Sequence, residues 1–139
     1  MNYKIIMRAN KEYHICKQVS KYLRFQYPQL IFHYDLAGLN LSKSQAGMMK
    51  EIQGKRGFPD LMVCQPSGIY SGLFIEIKTE TPFKKNGELK KNEHLSEQQD
   101  MLLSLRMRGY YSTFGVGFDG CVRIIDRYLR LKNGEGFIL

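Results

Sequence analysis

Two short apolar runs, Leu61-Met62-Val63-Cys64 and Gly72-Leu73-Phe74-Ile75-Glu76-Ile77-Lys78, flank the turn-forming stretch Gln65-Pro66-Ser67-Gly68. Apolar runs of this length, bounded by Gly and Pro, read as strands joined by a chain reversal. The expectation is a hairpin centred near Gly68. In that hairpin Asp60, just ahead of the first run, falls opposite Glu76. Glu76 and Lys78 are two apart on one strand, so they point to the same face. Two carboxylates and an ammonium then converge on one spot. Each has a bland explanation alone: a turn Asp, or a solvated Glu and Lys on an edge strand. Against it, Glu76 and Lys78 interrupt a run of Leu73, Phe74, Ile75 and Ile77 that otherwise reads as buried. Unpaired buried charge is costly. A metal site accounts for the set better.

The chain of 139 residues fits one domain, 1–139, with a modest core, and 43% of its residues are hydrophobic. No internal repeat, low-complexity tract or linker interrupts it. Glu12 to Tyr27 reads as a helix with Ile15, Val19, Tyr22 and Leu23 on one face, stopped by Pro28. Ile31 to Tyr34 is a candidate strand and Asp35 to Leu41 a loop. Ser44 to Gln53 reads as a short helix with Met48, Met49 and Ile52 partly buried, while Gln45 and Lys50 are exposed. After the hairpin, Thr81 to Glu93 is rich in Lys, Asn and Gly and reads as a mobile loop. Ser96 resembles an N-cap, with Gln99 at the capping-box position. The helix it opens runs to Arg108, with Met101, Leu102 and Leu105 inward, and stops at Gly109. Tyr110 to Val116 reads as a strand. Asp119 to Leu131 reads as a last helix with Val122, Ile125 and Leu129 on one face. The order α-β-(α)-β-β-α-β-α implies an α/β fold, a mixed sheet flanked by helices. Tyr110, Tyr111, Phe114 and Phe118 suit core better than interface.

The formal net charge is +8. A basic surface of that size either solubilises the chain or attracts an acidic partner such as nucleic acid. No apolar run approaches the roughly 20 residues needed to cross a bilayer, and Met1 to Ile6 holds no apolar block of signal-peptide length. Cys16, Cys64 and Cys121 are odd in number, far apart and without zinc spacing. Buried free thiols in a reducing cytoplasm are the expectation.

Magnesium takes oxygen ligands and keeps several waters, so one or two carboxylates plus a substrate phosphate suffice to hold it. Asp60 and Glu76 meet that need, and the backbone carbonyl of Ile77 could add an oxygen. Lys78 would position an attacking water or offset developing negative charge. The residue pattern suits metal-dependent cleavage of a phosphodiester.

Lys55-Arg56-Gly57-Phe58-Pro59-Asp60, Glu76-Ile77-Lys78 and Leu95-Ser96-Glu97-Gln98-Gln99 together resemble the VRR-NUC domain of the PD-(D/E)xK nuclease superfamily. The resemblance runs from Glu12 to about Leu131. The V-R-R element that names the family is not present as such. The resemblance implies a restriction-endonuclease-like core. It implies Asp60 and Glu76 as metal-binding carboxylates, Lys78 as the catalytic lysine, and Gln99 beside the active site, with Gln98 as the adjacent alternative. It also implies that Glu12 completes the metal shell, directly or through water. The other account of Glu12 is a helix-start carboxylate that favours the dipole.

The small members of the family look like structure-specific DNA nucleases, and some resemble Holliday-junction resolvases. The stand-alone type is found in phages and bacteria, so the cytoplasm of a bacterial or phage-infected cell is the expected location. The function expected from the resemblance is magnesium-dependent endonucleolytic cleavage of branched DNA, with manganese substituting. A four-way junction is roughly two-fold symmetric and takes two cuts, so a homodimer fits the task. The alternatives are a less selective nuclease for flaps, ends or single strands, a non-catalytic nucleic-acid-binding module, and a small basic RNA- or ribosome-associated protein. Lys55 and Arg56 ahead of Asp60, and Lys84, Lys85, Lys90 and Lys91 after the second strand, are candidates to hold phosphates by shape and charge rather than by base edges.

Overall fold

The computed structural model describes residues 3–35 and 41–137, with side chains from residue 11 onward. Helix α1 spans Tyr3–Gln26, strand β1 Phe32–Tyr34, helix α2 Lys43–Ile52, strand β2 Leu61–Val63 and strand β3 Leu73–Lys78. Helix α3 spans Glu93–Met107, strand β4 Tyr111–Val116 and helix α4 Gly117–Leu129. The loop expected from Asp35 to Leu41 lies mostly outside the described residues.

The four strands form one mixed sheet in the order β1-β2-β3-β4. β1, β2 and β3 are antiparallel neighbours, whereas β3 and β4 run parallel. A parallel pair needs a long crossover, and α3 supplies it. β2 and β3 pair with Leu61 opposite Ile75 and Val63 opposite Leu73. One step further on, that register sets Asp60 opposite Glu76. The reversal between them bridges Ser67 to Tyr70. Gly68 has φ 55°, and a Cβ there would run into the Glu135 carbonyl, so this turn takes glycine on both counts.

The period of two divides the chemistry of β3. Leu73, Ile75 and Ile77 turn to the face covered by α1 and α4, where they form the core with Val19, Leu23, Leu61, Val63, Cys121, Ile125 and Tyr128. Each such side chain taken fully out of water contributes roughly 1.5–3 kcal/mol. Phe74, Glu76 and Lys78 turn to the opposite face, which α3 partly covers with Leu102 and Leu105. The charged pair therefore sits on the back of the best-packed strand.

Several expectations change. α1 begins at Tyr3 rather than Glu12, because no Pro or Gly between them interrupts the helix. α3 begins at Glu93, a turn before Ser96. Asn92 caps it, its Oδ1 accepting from the N–H groups of His94 and Leu95. Val122 is only half-buried on α4, whose buried residues are Cys121, Ile125 and Tyr128. No residue of α2 is fully buried: Met49 is half-buried as expected, but Met48 and Ile52, expected to be partly buried, are exposed. Cys64, just past the end of β2, is exposed as well, while Cys16 and Cys121 are covered and all three are free thiols. Burial pushes the Cys16 and Cys121 thiols up to about 12.

Within the stretch from Thr81 to Glu93, expected to be mobile, Pro82 to Lys90 forms a closed hairpin and Glu93 already belongs to α3. Phe83 bridges Leu89, the Lys84 and Glu88 backbones are hydrogen-bonded, and Lys90 N–H reaches the Pro82 carbonyl. Asn86-Gly87 makes its turn, with Asn86 Oδ1 accepting from Glu88 N–H. Phe83 anchors it edge-on to Phe114. Tyr110 packs against Phe74, Tyr111 stacks on Phe137 and Phe118 meets Tyr22, so these half-buried rings pack in pairs. Among the described residues no helix is long and apolar enough to cross a membrane.

Candidate active site

Asp60 stands where the chain leaves the Gly57-Phe58-Pro59 turn and enters β2. Its Oδ2 accepts from Ile77 N–H at 2.8 Å, which ties the carboxylate to the neighbouring strand. Glu76 is 5% exposed. Its Oε1 accepts from Gln98 Nε2 at 2.7 Å and lies 3.8 Å from Lys78 Nζ. Lys78 carries its ammonium beside the Phe114 ring.

The two carboxylates face each other across the strand pair and act on each other's proton affinity. Burial raises both above the usual carboxylate range. For Glu76 the charge of Asp60 adds to the burial, and Lys78 offsets only part of the rise. A site that pushes two carboxylates toward their neutral forms is one that a cation would relieve.

The pair forms the floor of an open cleft of about 1080 Å³. Lys55, Arg56, Lys90 and Lys91 also line it, and Glu12 enters it from α1. Gly57 at φ 86° turns the wall toward α3, where a Cβ would come within 3.1 Å of the Glu97 carbonyl.

A solved structure described as a VRR_NUC domain protein matches this chain with a TM-score of 0.65, over 92% of this chain and 97% of that one, at 22% sequence identity. The fold is that of a VRR_NUC domain protein. No family model and no curated protein matches the sequence.

Within this VRR_NUC fold, Asp60, Glu76 and Lys78 come together, but the glutamine that joins them is Gln98 and not Gln99. Gln98 is buried against Glu76, whereas Gln99 is absent from the cleft wall. Starting the helix at Asn92 rather than Ser96 does not itself alter its phase. Leu102 and Leu105, inward as expected, lie four and seven positions after residue 98, so they share its side of α3 and turn it toward β3. Lys84 and Lys85 lie near the tip of the Pro82–Lys90 hairpin, away from the cleft wall that Lys90 and Lys91 share.

Glu12 sits in the third turn of α1, so a helix-start carboxylate no longer explains it. It lines the cleft and is exposed. Among the described residues no three His, Cys, Asp or Glu side chains are grouped to hold a metal ion. The donor set still fits a hard cation that keeps most of its own waters. Asp60 and Glu76 meet on the floor of the cleft. Gln98 Oε1 is buried with no hydrogen-bond partner, an acceptor suited to a water at the site.

Sequence reading missed two residues. His94 lines the cleft one turn before Gln98, and its Nε2 lies 3.3 Å from Gln98 Nε2. As the Nδ1–H tautomer it accepts the second N–H of the amide. The four-residue spacing on one helix was the available signal. Asp35 also lines the cleft, its N–H bonded to the Asp60 carbonyl, and its charge adds to the rise at Asp60. Nothing in its sequence neighbourhood singled it out.

Proposed function

We propose that this chain is a divalent-metal-dependent endodeoxyribonuclease that hydrolyses phosphodiester bonds in branched DNA, four-way junctions foremost. One observation carries the reading. Asp60 and Glu76 face each other across β2 and β3, with Lys78 3.8 Å from Glu76, on the floor of a cleft whose mixed-charge lining brings in Lys55, Arg56, Lys90 and Lys91.

Asp60, Glu76 and the Ile77 carbonyl would hold magnesium, or manganese in its place, with Glu12 contributing directly or through water. When bound, the cation polarises the scissile phosphate and acidifies water. The chain's own residues do the rest. Ile77 N–H fixes Asp60 and Gln98 fixes Glu76, so both carboxylates are oriented before substrate arrives. The Lys78 ammonium stands where it can orient the attacking water and offset charge gathering on the phosphate oxygens. The water gives up a proton to solvent as its oxygen bonds to phosphorus, the bond to the leaving sugar oxygen breaks, and that oxygen takes up a proton from solvent. Lys55, Arg56, Lys90 and Lys91 hold the flanking phosphates, and Lys84 and Lys85 extend the grip outward.

Two cuts in a two-fold junction fit a two-fold dimer of this chain. The test is cleavage of an end-labelled four-way junction beside matched duplex, flap and single strand, with magnesium and with chelator. Paired symmetric cuts in the junction, lost with chelator, are expected. Cutting confined to flaps or single strands would move the substrate. Binding to every substrate without cutting would reduce the chain to a binding module.

A further inference from the structure

Helix α2 differs from the other helices. Met48, Met49 and Ile52 share a helical side, yet none of its residues is buried. Ile52 is 80% exposed. Phe58, six residues on and 45% exposed, stands edge-on to Phe74. Met49, Ile52 and Phe58 line the same cleft as Asp60, Glu76 and Lys78, and Lys55 and Arg56 lie between them. Apolar side chains thus project into a cleft whose floor is charged and whose wall is of mixed charge, basic at Lys55 and Arg56 beside them and acidic at Glu97 and Glu80.

The chemistry of this wall narrows what it can receive. Lys55 and Arg56 suit phosphates, but phosphate and sugar offer an isoleucine little. A base face offers apolar area, and it is open only when the base has left its stack. Apolar side chains that wedge against unstacked bases are a recurrent device for holding distorted nucleic acid. A second copy of this chain fits less well, since it would bring another +8 charge against Lys50, Lys55 and Arg56.

Resting on the nuclease reading above, we infer that Ile52 and Phe58, backed by Met49, form an apolar wedge for an unstacked base beside the scissile phosphate. The wedge makes this site prefer DNA with a base out of its stack over continuous duplex.

The test measures binding by fluorescence anisotropy of the full chain in chelator, so that nothing is cut, to a perfect duplex and to the same duplex with unpaired bases. The variants are Ile52→Ser and the conservative Ile52→Leu. Because Ile52 is exposed, neither should disturb the fold, and circular dichroism checks this. Wild type is expected to favour the unpaired substrate about tenfold, the worth of one base contact. Ile52→Ser should lose most of that preference while keeping its duplex affinity and salt slope, and Ile52→Leu should keep the preference. An unchanged preference in Ile52→Ser overturns the inference. So does an equal loss on both substrates. A change of oligomeric state on sedimentation, with the preference intact, overturns it in favour of a second copy. Wild-type cleavage with magnesium is scored separately. Its absence would sink the nuclease reading while leaving the wedge to the anisotropy result.

Discussion

Gln98 and Gln99 are chemically identical neighbours, and only one of them reaches Glu76. Replacing Gln98 with Ala removes the N–H at Glu76 Oε1. Cleavage is expected to fall about 10–100-fold, as for other partners that orient ligands. Gln99→Ala should stay close to wild type in the same assay, and equal losses would return the role to both. Asp60→Ala, Glu76→Ala and Lys78→Ala are each expected to lower cleavage at least about 10²–10³-fold, with folding and much of the DNA binding kept. Full activity in any of them would remove that residue from the reaction. The raised carboxylates also set a pH dependence. Glu76 moves from its usual 4.5 to about 9. Between those values the folded chain holds a proton that the unfolded chain has lost. Stability without metal therefore falls as pH rises through that window. Thermal unfolding in chelator should show the decline, and Glu76→Gln should flatten it.

Elements, rather than residues, decide how far each group reaches. The β3–α3–β4 crossover holds Glu76 beneath α3, and its tightest point is Gly115. A Cβ there would lie 2.6 Å from Ile75 Cγ2 and 2.7 Å from Cys121 Sγ. Both neighbours are fully buried and have nowhere to move. Gly115→Ala is expected to destabilise the fold by about 1–3 kcal/mol, measured by denaturant unfolding. The hairpin from Pro82 to Lys90 shows why composition misleads. Its Lys, Asn and Gly content reads as loose, yet Asn86-Gly87 is turn chemistry and Phe83 has a ring to pack on. α2 errs in the other direction. Its apolar spacing reads as half-buried, but Met48 and Ile52 are exposed among the described residues.

At the scale of the molecule, charge is the quantity that matters. Lys55, Arg56, Lys90 and Lys91 converge on the cleft from two separate segments, whereas Lys84 and Lys85 stand outside it. Neutralising the four in the cleft should weaken DNA binding and lower the salt slope by up to about 0.9 per lost phosphate contact. Neutralising Lys84 and Lys85 should do less. Equal effects from the two sets would argue for a diffuse basic surface.

Much of this site was legible before folding because the strand period is two. Once the hairpin is centred near Gly68, Asp60 falls opposite Glu76, and Lys78 shares the face of Glu76. Only a shift of register would separate the carboxylates. The helical contributions were less determined. A helix advances about 100° per residue, so choosing between Gln98 and Gln99 depends on which side of α3 packs on the sheet. The inward spacing of Leu102 and Leu105 already favours Gln98, which shares their side while Gln99 does not; that this side meets Glu76 is a long-range fact. The placing of Glu12, Asp35 and His94 around one cleft, and the exposure of α2, rest on long-range packing. The sequence by itself determined the facing carboxylates and their lysine. Only the tertiary structure decided which helical side chains surround them.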